Sequence, residues 1–167
     1  MRRLLILSAV LPVSALVVAG CGSSNSSSGS NSSMGASATT PPPTTRSATV
    51  ALRTTPLGRV LVDSSGRTLY LFEKDKGPTS MCGGACASAW PPVTTTSAPT
   101  AGTGVTASKL GMTNGPGGEQ VLYAGHPLYT YVGDSGPGQT NGEGLNQFGA
   151  EWYVLGANGA KIEKGGS

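Results

Sequence analysis

At 167 residues the chain has room for one domain of ordinary size, or for a smaller one with non-globular segments attached. Twenty-six glycines and twelve prolines beside only 11% charged residues exclude a protein of long charged helices and favour short strands joined by turns. The formal charge of +3 falls to nine basic against eight acidic residues once Arg2 and Arg3 are set aside with the leader, and that near-balance excludes a nucleic-acid-binding surface.

In chain order, Met1-Arg2-Arg3 is a short basic start and Leu4 to Val18 an apolar run interrupted only by Ser8, Pro12 and Ser14. The run is too short to span a bilayer and has the layout of a signal peptide over residues 1–20. It ends in Val18-Ala19-Gly20-Cys21, which resembles the lipobox of bacterial lipoproteins: small residues for the signal peptidase, then a cysteine whose thiol takes a diacylglyceryl group. Cys21 is therefore the expected lipidation site, and the membrane the expected partner through its acyl chains. Residues 21–46 are almost entirely Ser, Asn, Gly, Thr, Ala and Pro. Such a segment cannot bury enough apolar surface to offset chain entropy, so a disordered tether is expected there.

From residue 47 to 167 the pattern changes to short β-branched and aliphatic runs between turn residues. Thr49 to Arg53 and Arg59 to Asp63 read as strands, and Ser64-Ser65-Gly66 as a turn into a third strand, Arg67 to Phe72. Ala85 to Ala89 and Ala107 to Leu110 read as helical turns, and Gly115-Pro116-Gly117-Gly118 as a hairpin turn. Glu119 to Tyr123 is expected to pair with His126 to Tyr131 across Ala124-Gly125, and Glu151 to Leu155 with Ala160 to Glu163. The expected fold is mainly β: one small domain of two pseudo-repeated antiparallel strand units, about 58–92 and 117–155, with short helical turns.

The repeat shows in a ten-residue pattern. Leu69-Tyr70-Leu71-Phe72-Glu73-Lys74-Asp75-Lys76-Gly77-Pro78 returns as Leu128-Tyr129-Thr130-Tyr131-Val132-Gly133-Asp134-Ser135-Gly136-Pro137. Strand alternation puts Tyr70 with Phe72, and Tyr129 with Tyr131, on one face, with Leu69, Leu71 and Leu128 on the other. The paired aromatics are expected to stack across a pseudo-twofold interface. Asp75 and Asp134 stand where each strand ends, so the expected role is to cap their own turns, with a ligand or metal contact as the alternative.

These motifs resemble a family of bacterial secreted-repeat lipoproteins with a Tyr-x-aromatic-x-x-Asp signature. Cys82-x-Gly84-x-Cys86-Ala87-x-x-Trp90-Pro91-Pro92, and Gly138-Gln139-Thr140-Asn141-Gly142 leading to Phe148-Gly149 and Trp152-Tyr153, resemble it too. The resemblance implies an extracytoplasmic location and a repeated β architecture, but no accepted activity.

With Cys21 lipidated, Cys82 and Cys86 form an even pair in an oxidising compartment, for which a disulfide is the default. The alternative is a thiol pair handling copper or electrons, with Met81, Met112 and the single histidine, His126, as further candidate ligands. A catalytic triad would have to use His126, which reads as a turn residue, and no Gly-x-Ser-x-Gly elbow or phosphate-cradling loop is present. The sequence indicates no cofactor and no catalytic residue. Its best reading is a non-enzymatic binding or structural module whose protein or small-molecule partner it does not name.

Overall fold

The computed structural model describes residues 46–163; the leader, Cys21 and the linker up to residue 45 lie outside the described residues. Among the described residues no helix is long and apolar enough to cross a membrane. The strands are β1 (Thr49–Thr55), β2 (Gly58–Asp63), β3 (Tyr70–Phe72), β4 (Thr100–Ala101), β5 (Leu110–Gly115), β6 (Gly118–Tyr123), β7 (His126–Pro127), β8 (Asn146–Gln147), β9 (Ala150–Leu155) and β10 (Lys161–Ile162). One helical turn, α1 (Ala85–Ala89), and a 3-10 turn, Ala107–Lys109, complete the fold.

The two repeats begin with matching hairpins. β1 and β2 meet at Thr55-Pro56-Leu57-Gly58, β5 and β6 at Gly115-Pro116-Gly117-Gly118, each antiparallel from its tip. Gly58 and Gly118 close the turns at φ +102° and +114°, a region that side chains with a Cβ rarely enter, which is why both copies keep glycine there. The repeat unit thus starts one strand before the expected boundaries: β5 occupies a stretch that reads poorly as a strand because Gly111, Asn114 and Gly115 dilute its apolar pattern.

Beyond the hairpins the expected pairing changes partner. Arg67 to Phe72 returns along β2 only briefly, with Asp63 N donating to Arg67 O (2.9 Å) and Leu69 N to Leu61 O (2.9 Å). The chain then crosses as β3 to β9 of the other repeat, with Tyr70 opposite Val154, Leu71 opposite Tyr153 and Phe72 opposite Trp152. The second motif does the reverse. β7 ends at Pro127, and the following residues pair with the segment after Trp90: Thr130 N donates to Pro91 O (2.9 Å), and Val93 N to Leu128 O (2.9 Å). At the centre Tyr70 and Tyr129 exchange both backbone hydrogen bonds (2.9 and 3.1 Å), so a local pseudo-twofold passes between them. The closing hairpin forms as expected, with β10 on β9, while β8 adds to β9 and β4 lies parallel to β1.

The strand alternation sorts the core into two clusters. Tyr70, Phe72 and Tyr129 join Trp90, Trp152, Val60, Val154 and the two cysteines, while Leu69, Leu71 and Leu128 join Leu61, Val121, Tyr123 and Leu155. Each motif strand therefore belongs to both clusters, one through each face.

Because each motif strand pairs with the other repeat, the halves should hold together without the covalent link between them. If a protease site is introduced at the exposed Thr103–Gly104 turn and cut, the two pieces should co-elute as one species, with a melting temperature that depends on concentration. Separation of the pieces on size-exclusion chromatography under native conditions would contradict the crossed pairing.

Candidate functional site

The signature residues of both repeats meet at the pseudo-twofold, and their side chains cross it as the strands do. Tyr70 Oη donates to Asp134 Oδ2 (2.7 Å), and Tyr129 Oη donates to Asp75 Oδ2 (2.8 Å). Each aspartate uses its second oxygen nearer home: Asp75 Oδ1 accepts from the Met81 amide (2.7 Å), Asp134 Oδ1 from the Asn141 amide (2.9 Å). The loop-capping role expected of both aspartates is thus half of their work. The bonds span six and seven residues rather than a tight turn, and the other oxygen serves the opposite repeat.

The phenols are completed in different ways. Tyr70 Oη accepts from the Gly142 amide (3.3 Å), where a Cβ would stand 2.6 Å from Trp90 and 3.0 Å from Tyr70, so only glycine lets the backbone approach. Tyr129 Oη lies 2.7 Å from Ser80 Oγ, and with its single proton given to Asp75 it accepts the serine's. Burial pushes both phenols well above the ordinary tyrosine range, and the neighbouring carboxylates push them further.

The aromatic pairs do not stack on one another as expected. Two tryptophans come between them in a four-ring column: Phe72 on Trp152 (centroids 4.1 Å), Trp152 on Trp90 (3.9 Å) and Trp90 on Tyr131 (4.2 Å). Tyr70 meets Trp90 edge-on and Tyr129 meets Trp152 edge-on. Again each repeat's tryptophan packs on the other repeat's motif residue. Both indoles are fully buried, and burying roughly 150–250 Å² apiece contributes on the order of 4–6 kcal/mol each before entropy is counted. Gln147 satisfies both, its Oε1 accepting from Trp90 Nε1 (2.9 Å) and its backbone oxygen from Trp152 Nε1 (3.2 Å). The sequence signal for this column was the recurrence of Trp90 and Trp152 at similar distances after the two motifs; Gln147 left none.

The family model for a secreted repeat of unknown function matches residues 51–94 and again residues 111–156, more than half of the chain. The chain belongs to that secreted-repeat family. Each match runs from a Pro-Gly hairpin through a motif to its tryptophan, so the family unit and the structural unit coincide. No curated protein and no solved structure matches. Membership places the chain outside the cytoplasm and names no activity.

Cys82 and Cys86 are joined by a disulfide, with Cα atoms 5.2 Å apart and little or no exposure of either residue. Closing so short a loop constrains the unfolded chain by only about 2 kcal/mol. Its local effect is to fix α1, where Cys86 O accepts from Trp90 N (2.7 Å), and so to aim the indole. The other candidate ligands lie elsewhere: Met81 and Met112 are exposed, Met112 on β5, and His126 on β7 opens onto a surface cleft with Asp75, Glu73 and Lys161. Among the described residues no three His, Cys, Asp or Glu side chains come together to hold a metal.

Burial raises the Asp75 and Asp134 carboxyls above the ordinary range; the amide and phenol bonds they accept oppose the shift without cancelling it. The native state therefore keeps these protons to higher pH than the unfolded chain. The contribution is fully present below the unfolded value of about 3.9 and declines as pH rises through the raised native values. Asp134→Asn removes one titration, so the stability of wild type relative to this variant should grow as pH falls from about 7 to about 4 in denaturant melts. A difference that shrinks on acidification would mean that hydrogen bonding outweighs burial at this carboxyl.

Proposed function

We propose that the chain is a lipid-anchored extracytoplasmic protein whose folded domain is a non-enzymatic binding or structural module. The observation that carries this reading is that the polar groups of both signature motifs are spent on one another: two phenols and two carboxylates satisfy each other and the neighbouring loops inside the core. Groups committed in this way hold a scaffold together, and they leave recognition to the surface, where the two repeats differ. The anchor is Cys21, with diacylglyceryl and fatty acyl chains tying the protein to the outer face of a membrane and residues 22–45 giving the domain reach.

A Cys21→Ala variant should move from the membrane fraction to the soluble fraction and lose incorporation of labelled palmitate. Retention in the membrane would remove the anchor from the account. The competing thiol reading requires Cys82 and Cys86 to open. Thiol titration of the native protein should find both oxidised, and Cu(I) binding should not change in the Cys82→Ser, Cys86→Ser double variant. Free thiols with cysteine-dependent copper binding would replace the module reading with a metal- or electron-handling one.

A further inference from the structure

The two repeats serve as internal controls for each other. Features present in both, such as the hairpin glycines, the crossed tyrosines and aspartates and the stacked tryptophans, are those the fold needs. A built feature present in only one copy is free to serve something else. The turn from β2 towards β3 carries such a feature. In the second repeat the turn reads Tyr123-Ala124-Gly125-His126, whereas in the first it reads Asp63-Ser64-Ser65-Gly66-Arg67.

Asp63 organises this turn completely. Its Oδ1 accepts from the amides of Ser65 (2.8 Å) and Arg67 (3.0 Å), and its Oδ2 accepts from Arg67 Nε (2.8 Å) and Nη2 (2.7 Å). The aspartate side chain is only 12% exposed, while that of the arginine remains 54% exposed. The guanidinium is thus fixed on a rigid turn and still presented outward, with the entropy cost of ordering it already met by the fold. A second arginine, Arg53, packs against Gly66 in the same turn, with Nη1 3.1 Å from where a Cβ would stand.

Arg67 lines a groove of about 390 Å³, in the size range of small-molecule sites. Arg46 lines it too and makes no ion pair among the described residues. The hydroxyls of Thr49, Ser64 and Thr94, also in the lining, have no hydrogen-bond partner among the described residues, and Pro92 adds a flat apolar surface. The corresponding place in the second repeat is also a cleft, with His126 for Arg67 and Leu71 for Thr130, but there Glu73 and Asp75 stand beside a single lysine, Lys161, which is paired to Glu73. The groove of the first repeat has two arginines beside one carboxylate, Asp63, so the excess of positive charge is particular to it.

We propose that this groove binds a sugar bearing an anionic group, either a carboxylate or a phosphate. Arg46, which makes no ion pair among the described residues, and the outward edge of the Arg67 guanidinium left over from its bond to Asp63 offer N–H groups to the planar or tetrahedral oxyanion, the lining hydroxyls exchange hydrogen bonds with the sugar hydroxyls, and Pro92 offers a face to the ring. The inference rests on the reading of the domain as a binding module and names the ligand class of that module.

The test titrates the detergent-solubilised full-length protein with glucuronate, glucose 1-phosphate and glucose, read by saturation-transfer NMR and calorimetry. Saturable binding of at least one anionic probe is expected, with glucose at least about tenfold weaker. Arg46→Gln, which keeps the backbone bonds of residue 46 to Thr95 and Thr96 and removes only the guanidinium, should weaken the anionic probe by about tenfold with no change in melting temperature. Arg67→Lys should also weaken it, because an ammonium keeps the charge and loses the fork. Preference between the two anionic probes decides the source of the charge. Equal binding of glucose, no binding of any probe at about 10 mM, or anionic binding that survives Arg46→Gln unchanged would each overturn the groove assignment. The last result would leave the module reading standing, whereas cysteine-dependent copper binding would sink that reading whatever the sugars do.

Discussion

A buried phenol needs a partner for its proton, and for the two signature tyrosines, Tyr70 and Tyr129, that partner comes from the other repeat. Tyr70 has Asp134 and Tyr129 has Asp75, each pair closing at 2.7 to 2.8 Å. Leaving one member unmatched strands a polar group in low dielectric at a cost of roughly 1–3 kcal/mol, more for a charged group. Neither repeat can therefore complete its own core. The backbone exchange between Tyr70 and Tyr129, the pairing of β3 with β9 and the stacking of each tryptophan on the opposite motif obey the same constraint at other scales.

The disulfide and the glycines serve this interlock. Cys82 and Cys86 hold the turn that delivers Trp90, and Gly142 lets the second repeat's loop lie flat against both Trp90 and Tyr70. The loops that follow the two motifs differ in length and content, so the interlock accommodates divergence outside it. The aspartates accept amides six and seven residues onward, and that single-residue difference changes neither phenol contact. A scaffold of this kind holds its geometry at the centre and lets the rim of each repeat differ, as the arginine-bearing turn found only in the first repeat does.

The sequence revealed the repeat, the β class, the closing hairpin and the division of motif residues between two faces, because each of these depends on short-range spacing. Strand alternation alone separates Tyr70 and Phe72 from Leu69 and Leu71. It could not reveal that β3 leaves β2, since the register of a three-residue strand is set by tertiary packing and not by its own pattern. The aspartates were legible as loop caps because capping is local. Their second bonds span 54 and 64 residues, and only the pseudo-twofold brings those positions together. β5 escaped notice because its glycines and asparagine mimic a loop. Asp63 and Arg67 were visible as residues, but the fork between them became meaningful only with the turn built.

The crossed interlock is tested most directly by two double-mutant cycles read by denaturant melts. Tyr70→Phe with Asp134→Asn should show a coupling energy of about 1–2 kcal/mol, whereas Tyr70→Phe with Asp75→Asn should be additive to within about 0.5 kcal/mol. Coupling within a repeat that equals or exceeds the coupling across repeats would contradict the account.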